Sequence, residues 1–240
     1  MRREPYSVGS YVHVMKRGTR GMSIIRDDDD RWRFLKLLRY LNDDNTPRNW
    51  ERDIGPDNIR AGFSRPEHWR KQKPYVSILA FCLMDNHFHL LVRENVENGI
   101  SAFMQRLCTS MAAYFNAKYS EEGTLFQSSY KARTVHDDEY LQYLLAYITV
   151  KNPFERFPGG LDSAFQKYDE ALQQARAYPF ASLIDVLGSR RSQILDYDAL
   201  DEVVETDERK FLNSAKDVLN GVYAFDNEFV RLAMDFDDSS

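Results

Sequence analysis

The first 155 residues alternate between two hydrophobic patterns, one typical of strands and one typical of helices. Tyr11–Met15 (YVHVM) alternates and is rich in β-forming residues, which predicts a strand that ends at the basic turn KRGTRG. Apolar residues then recur every three to four positions, and the acidic run Asp27–Asp30 stands where a helix start favours negative charge. This pattern predicts a helix over 28–41.

Residues 42–74 follow neither pattern. They hold four prolines and two glycines with little periodicity, which is typical of a long loop, with a short helical turn expected over 66–71. Regular elements then resume. We predict strands over 75–83, 87–93 and 126–135, and helices over 101–119 and 139–150, with Asp85-Asn86 as a hairpin turn. The order β-α-β-β-α-β-α predicts an α+β fold with a ferredoxin-like split βαβ core and an antiparallel sheet.

The chain beyond Gly160 has helical periodicity and an acidic composition. Helices are predicted over 163–177, 180–187, 195–204 and 208–219. The net charge of −5 divides unevenly, with +4 on residues 1–152 and −9 on residues 153–240. We therefore predict two parts: a core domain over 1–155, with 42–74 as a long inserted loop, and an acidic helical extension over 156–240 that packs on the core.

Composition excludes several classes of protein. No apolar run approaches the roughly 18 residues of a membrane helix, and the N-terminal MRREPYSVGS lacks the apolar region of a secretory signal. Two cysteines are too few for a disulfide framework or a four-cysteine zinc site. We expect a cytoplasmic protein with no membrane partner.

The segment MDNHFHLLV holds the sharpest chemical feature of the sequence. On a strand, His87 and His89 project from the same face, while Phe88 projects into the core. Two neutral imidazoles side by side can share one divalent metal ion. The alternative is that both are strand histidines without a metal.

The helix predicted after the last core strand carries Tyr140, Tyr143 and Tyr147 within about two turns of one another. Each has an ordinary interpretation as an amphipathic core residue. One of them becomes chemically relevant if its hydroxyl reaches the histidines, which a helix packed across their face of the sheet would allow.

Basic residues are scattered among aromatic ones in the front half of the chain, where they could bind phosphates or lie on a solvated surface. They are Lys16, Arg17, Arg20, Arg26, Arg106, Lys131 and Arg133.

Taken as a set, these motifs resemble the single-tyrosine HUH transposases, and in particular the branch of REP-associated tyrosine transposases. The resemblance runs over about residues 11–190, through YVHVMKRGTRG, ILAFCLMDNHFHLLV, GTLFQSSYKARTV and DDEYLQYLLAYITVKNP. It implies that residues 1–155 are a catalytic domain and that His87 and His89 hold magnesium or manganese. It also implies that Tyr147 is a nucleophile that forms a 5′-phosphotyrosine on single-stranded DNA next to a hairpin.

The third metal ligand departs from the pattern. The family usually places an amide side chain four residues after the tyrosine, whereas this chain has Lys151 there and Asn152 one residue later. One residue rotates a side chain by about 100° on an α-helix. Either the helix ends or bulges before Asn152, which restores its direction, or the third ligand is lost; Lys151 could instead contact phosphate. His13 and His136 are expected to have structural or supporting roles.

The leading prediction is a metal-dependent enzyme that nicks and rejoins single-stranded DNA, contacting it through Arg17, Arg20, Lys131, Arg133 and Lys151. We expect a monomer, as the resemblance to the REP-associated branch implies, with a dimer as the alternative. Two other functions remain open: a domesticated protein that binds DNA or RNA hairpins without catalysis, and a metal phosphodiesterase that uses water in place of Tyr147.

Overall fold

The computed structural model describes residues 6–54, 63–204 and 207–219. In chain order the elements are β1 Tyr11–Arg17, α1 Asp28–Leu41, α2 Trp50–Ile54, β2 Val76–Leu83, β3 His87–Glu94, α3 Gly99–Tyr119, β4 Lys131–Thr134, α4 Asp138–Ala146, α5 Asn152–Phe154, α6 Gly160–Gln166, α7 Tyr168–Ala177, α8 Leu183–Val186, α9 Tyr197–Asp201 and α10 Glu208–Leu219. A 3-10 turn covers Thr19–Gly21, and a π turn, Tyr147–Lys151, joins α4 to α5. No helix among the described residues is long and apolar enough to cross a membrane.

The four strands form one antiparallel sheet in the order β2-β3-β1-β4. This is the strand order of a ferredoxin-like split βαβ unit, so the predicted α+β fold is confirmed. The register opposes Arg17 to His87 and Met15 to His89 across β1 and β3, and it opposes His13 to Arg133 across β1 and β4. Side chains that face each other in this way share a face of the sheet.

The two faces of the sheet pack against different elements. One face packs against α1 and α3, where the rings of Phe88 and Phe34 lie 4.9 Å apart between centroids. The Asp27 carboxylate caps α1 by accepting from the Asp30 backbone N–H at 3.0 Å, which accounts for the helix beginning as predicted. The other face carries His13 and His89 and packs against the π turn after α4.

Several predicted boundaries change. β1 extends through the basic residues to Arg17, and β4 begins at Lys131 rather than at residue 126. The shortening has a local cause: Phe126 makes one isolated bridge to Gly18, and Ser128 then takes a left-handed backbone conformation with φ 44° that ends pairing. The helix predicted over 163–177 divides into α6 and α7 at Lys167, whose φ of −118° and ψ of 48° are not helical.

The described part of the predicted loop 42–74 contains one helix that the sequence pattern does not predict, α2, at Trp50–Ile54. The buried Trp50 ring stacks on Tyr40 of α1 at 5.4 Å, so tertiary contact supports a helix too short to show periodicity. The predicted turn over 66–71 is present, since the Trp69 N–H bonds the Pro66 carbonyl at 3.1 Å. Residues 55–62 of this loop lie outside the described part of the chain.

A segment of the acidic part covers the edge of the sheet at β2. The Leu83 N–H donates to the Phe180 carbonyl and the Ser182 N–H to the Phe81 carbonyl, both at 3.0 Å. The Ser182 hydroxyl also accepts from the Phe81 N–H at 2.9 Å. Residues 178–182 are therefore not helical: a turn at Pro179-Phe180 leads to an isolated bridge between Ala181 and Cys82. The helix predicted over 180–187 begins only at Leu183. The helix predicted over 195–204 is likewise reduced, to Tyr197–Asp201.

Candidate active site

The paired histidines lie at the start of β3, on the face of the sheet away from α1. The rings of His87 and His89 are nearly perpendicular, with centroids 5.0 Å apart, while Phe88 is buried on the opposite face. His87 is half-buried and its Nδ1 lies 2.6 Å from Oδ1 of Asn86. Strand alternation therefore delivers the side-by-side arrangement that the sequence predicted.

His89 also contacts a third histidine, His13 of β1. Nε2 of His13 lies 2.9 Å from Nδ1 of His89, and the rings stack with centroids 5.1 Å apart. Burial, together with the nearby charge of Arg133, lowers the pKa of His13 to about 4. Burial holds the pKa of His89 well below its usual value, with smaller contributions from His87, His13 and Lys151. Both imidazoles are therefore neutral near pH 7, which is the form that binds metal.

Tyr147 lies over this histidine pair. Its ring centroid is 5.6 Å from that of His89 and 6.2 Å from that of His13, and the residue is only 4% exposed. The Tyr143 ring stacks on it at 6.1 Å, and the Lys151 ammonium lies 4.8 Å from its centroid. Among the three tyrosines considered from sequence, Tyr147 is thus placed with its ring against the rings of His89 and His13.

The helix that carries Tyr147 changes its geometry at that residue. The α-helical pattern predicted over 139–150 ends at Ala146, and a π turn follows over Tyr147–Lys151. The Asn152 N–H donates to the Tyr147 carbonyl, five residues back rather than four. The π turn accommodates one extra residue, so Asn152 occupies the place in the turn that residue 151 would have in an α-helix. Of the two alternatives considered from the sequence, the backbone adopts the first, a bulge before Asn152 that restores the direction of its side chain.

The side chain of Asn152 is buried without a partner. It is 1% exposed, and neither its Oδ1 nor its Nδ2 forms a hydrogen bond with any described residue. Buried amides are nearly always paired, so an unpaired one directly after the π turn that carries Tyr147 is a candidate ligand group. An amide oxygen and two neutral imidazoles form a donor set that suits a divalent ion such as manganese.

This donor set differs from the commonest metal clusters. Over the described residues, no group of three or more His, Cys, Asp or Glu side chains is arranged to hold a metal ion. His13 does not complete such a group, since its Nε2 is engaged with His89. A metal here would therefore depend on the amide of Asn152 as a third protein ligand.

Three of the basic residues predicted to contact DNA share the histidine face. The register opposes Arg17 to His87, Lys131 to Met15 and Arg133 to His13. Arg20 lies just beyond, exposed on the turn after β1 with a left-handed φ of 54°. Lys151 lies on the π turn and pairs with Glu155. All five predicted contacts are thus on this face, on its adjoining turn, or on the helix that crosses it.

The remaining charged or titratable candidates have other surroundings. Lys16 is buried on the opposite face and donates to the Gln127 carbonyl at 3.3 Å. Arg26 pairs with Glu121, and Arg106 donates to the Tyr75 hydroxyl at 3.0 Å. His136 is exposed before α4. These residues contact the fold or lie on the surface, and none of these contacts involves the paired histidines.

The sequence predicts a structural or supporting role for His13 without naming a partner, and the structure makes it a direct partner of His89. The sequence signal was its place in the alternating run YVHVM, which fixes its face but not its neighbour. The neighbour follows from the β1–β3 register, which sequence patterns alone do not give.

A ferredoxin-like sheet with paired histidines, faced by a tyrosine on a helix, is the arrangement that the resemblance implied. Residues 67–151 match the family model described as Transposase IS200 like, and this segment contains both histidines and Tyr147. The match confirms the predicted resemblance to this type of transposase.

A solved structure of a REP-associated tyrosine transposase bound to a REP hairpin is also similar to this chain. It shares 11% sequence identity, with 87% of this chain and 93% of that chain covered, at a TM-score of 0.46. A comparison with curated proteins finds no match.

Proposed function

We propose that this protein nicks and rejoins single-stranded DNA beside a hairpin, through a covalent bond between Tyr147 and a 5′ phosphate. The observation that carries the proposal is the contact of the Tyr147 ring with the ring of His89, on the sheet face that also presents His87. The match to IS200-like transposases over the same residues supports it.

The residues of the site would divide the chemistry between them. His87, His89 and the amide oxygen of Asn152 would hold magnesium or manganese, which when bound would polarise and orient the scissile phosphate. The neutral state of the buried His89 imidazole and the unpaired amide of Asn152 both suit this role. Half-buried His87 marks the side from which the substrate would enter.

Tyr147 would act as the nucleophile. Its phenolic oxygen forms a bond to phosphorus, the bond from phosphorus to the 3′ oxygen breaks, and the phenol proton is transferred overall to the departing 3′ oxygen. The reverse step uses a 3′ hydroxyl to displace the tyrosine and join strands. Because a phenoxide leaves more readily than an alkoxide, the intermediate stays reversible and no nucleotide cofactor is needed.

The cations around the site would bind the DNA backbone. Arg17, Lys131 and Arg133 lie on the histidine face of the sheet, and Lys151 lies against the tyrosine. Electrostatic contact with phosphates provides affinity without sequence preference and weakens with salt. Arg20, exposed on the turn after β1, extends this positive surface beyond the sheet.

Hairpin-containing DNA is the substrate class that we propose, from the resemblance of the motifs and the family match. We also propose a monomer, and light scattering after size exclusion tests it: a stable dimer at micromolar concentration contradicts this assignment.

The proposal is tested with a labelled hairpin oligonucleotide that has single-stranded flanks, incubated with manganese and resolved on a denaturing protein gel. We expect a covalent protein–DNA band with the wild type and none with Tyr147→Phe. Tyr143→Phe is the matched control and keeps the band, since it removes the hydroxyl of the neighbouring tyrosine and retains the ring that stacks on Tyr147. His87→Ala abolishes cleavage and retains binding. A band that survives Tyr147→Phe contradicts the nucleophile assignment.

A second candidate function is a hairpin-binding protein without catalysis. The observation that favours it is the burial of Tyr147, which is enclosed by Tyr143, Lys151 and the two buried histidines. A gel shift with hairpin DNA or RNA, without an adduct or a cleaved product in magnesium or manganese, supports this candidate. Cleavage that turns over without an adduct indicates a phosphodiesterase that uses water.

A further inference from the structure

We propose that His13 is a positioning residue for the metal site, which accepts a hydrogen bond from Nδ1–H of His89 and leaves Nε2 of His89 as a free lone-pair donor. This inference rests on the proposed function, because it assigns a task to a residue outside the metal ligands. It goes further in saying which nitrogen of each histidine faces the metal and what enforces that choice.

The hydrogen-bond partner of His87 indicates which of its ring nitrogens carries the hydrogen. Nδ1 of His87 lies 2.6 Å from Oδ1 of Asn86. The orientation of the Asn86 amide is fixed independently, since its Nδ2 donates to the Gly21 carbonyl at 3.2 Å. An amide oxygen can only accept, so Nδ1 of His87 carries the hydrogen. In the neutral ring, Nε2 of His87 therefore keeps its lone pair.

His89 has the same nitrogen engaged by a neighbour. Its Nδ1 lies 2.9 Å from Nε2 of His13. A neutral imidazole has one N–H, so one hydrogen lies between these two nitrogens. Either His13 or His89 can be its donor. If His13 donates, His89 carries its hydrogen on Nε2 and cannot bind a metal through either nitrogen. If His89 donates, its Nε2 is a ligand, as on His87.

The second arrangement makes the two histidines equivalent. Each would have Nδ1–H held by a neighbouring side chain and its lone pair on Nε2, which is how metal-binding histidines are usually oriented by an outer partner. Both rings are buried, so the two nitrogens bond to each other rather than to solvent.

The contact is rigid because the sheet holds it. Met15 pairs with His89 and His13 with Leu91, so the two histidines occupy diagonal positions on neighbouring strands. Their rings are only 20° from parallel. His13 thus fixes both the rotation of the His89 ring and the position of its hydrogen, without needing to touch the metal.

The first test reads the hydrogen positions directly. Nitrogen-15 long-range correlation spectra of the metal-free full chain distinguish a protonated ring nitrogen from a bare one, with His13→Gln and His87→Gln used for assignment. We expect Nδ1–H with bare Nε2 on both His87 and His89. A hydrogen on Nε2 of His89 overturns the proposal, whatever the protein does with DNA.

The second test measures manganese binding without DNA, by electron paramagnetic resonance of free Mn²⁺. His13→Phe keeps a ring and loses the acceptor, and we expect it to weaken binding about 10- to 100-fold. His13→Gln retains an acceptor oxygen, and we expect it to stay within a few-fold of wild type. Thr149→Val is the control for a buried change on the π turn that leaves the ligands intact, and it binds manganese normally.

The outcomes separate the two proposals. If His13→Phe binds manganese as tightly as wild type, the positioning role is wrong while the proposed function stands. If His13→Gln loses binding as completely as His13→Phe, then His13 is itself a ligand and the proposal fails. If the wild type binds no manganese, the metal part of the proposed function fails, and the spectra still decide the hydrogen bond. Should His13→Phe not fold, His13→Gln and the spectra retain the test.

Discussion

Replacing Asn152 by leucine should stabilise the metal-free protein while removing its response to metal. Two buried polar atoms of Asn152 have no hydrogen-bond partner among the described residues, and an unsatisfied buried group costs about 1–3 kcal/mol. Leucine has the same branching and number of heavy side-chain atoms, but its methyl groups are larger, and this overpacking costs about 1–3 kcal/mol. We expect a net gain of about 2 kcal/mol, which raises Tm by about 4–8 °C in a chain of this length.

The assay is thermal unfolding followed by circular dichroism, in a chelator and in manganese. A metal present at 100 times its Kd stabilises the wild type by about 2.7 kcal/mol, and we expect most of this rise to vanish in Asn152→Leu. Thr149→Val is the matched control in the same π turn. Thr149 is buried, and its hydroxyl already donates to the Leu145 carbonyl at 2.7 Å. Loss of this hydroxyl should not stabilise the protein, and the rise in Tm with manganese should remain.

One result would refute this reasoning. If Asn152→Leu lowers Tm in the chelator and still gains stability from manganese as the wild type does, then the amide is paired within the folded protein and is not a metal ligand. The π turn would then need another explanation.

Three further predictions concern stability, each measured by urea unfolding. Gly18→Ala should cost about 1–3 kcal/mol, because a Cβ there would overlap a neighbouring backbone carbonyl oxygen. Arg190→Met should cost about 3 kcal/mol, since it removes the cation that holds the buried Asp185 carboxylate at 2.8 Å; equal midpoints would contradict this. The hydrogen bond from Lys118 holds the pKa of Asp27 below its usual range. The stability that the ionised Asp27 carboxylate provides is therefore complete above about pH 4 and is lost below it. Asp27→Asn should flatten the fall in stability between about pH 5 and pH 3.

Features that depend on neighbouring residues in the chain were predictable. The strand pair around Asp85-Asn86 and the shared face of His87 and His89 follow from alternation alone. Helix α1 begins and ends as predicted, and its beginning is set by the side chain of Asp27, which caps the first turn.

Features that depend on distant residues were not predictable. The contact of His13 with His89 needs the register of two strands separated by more than 70 residues. The π turn leaves no mark on the hydrophobic pattern, because Tyr147, Ile148, Thr149 and Val150 are all buried and any periodicity is lost. Backbone hydrogen bonds to β2 hold residues 180–182 outside the helix that their sequence pattern predicts.

The bonds from residues 178–182 to β2 also set an order of events when the chain is made. Ser182 follows its partner Phe81 by 101 positions, so β2 leaves the ribosome long before the segment that covers it. At about 5–20 residues per second, the interval is roughly 5–20 s. During that time the sheet can form with the backbone groups of one edge exposed, and an exposed edge invites pairing with another chain. The yield of native protein should therefore depend on how fast the second half is translated.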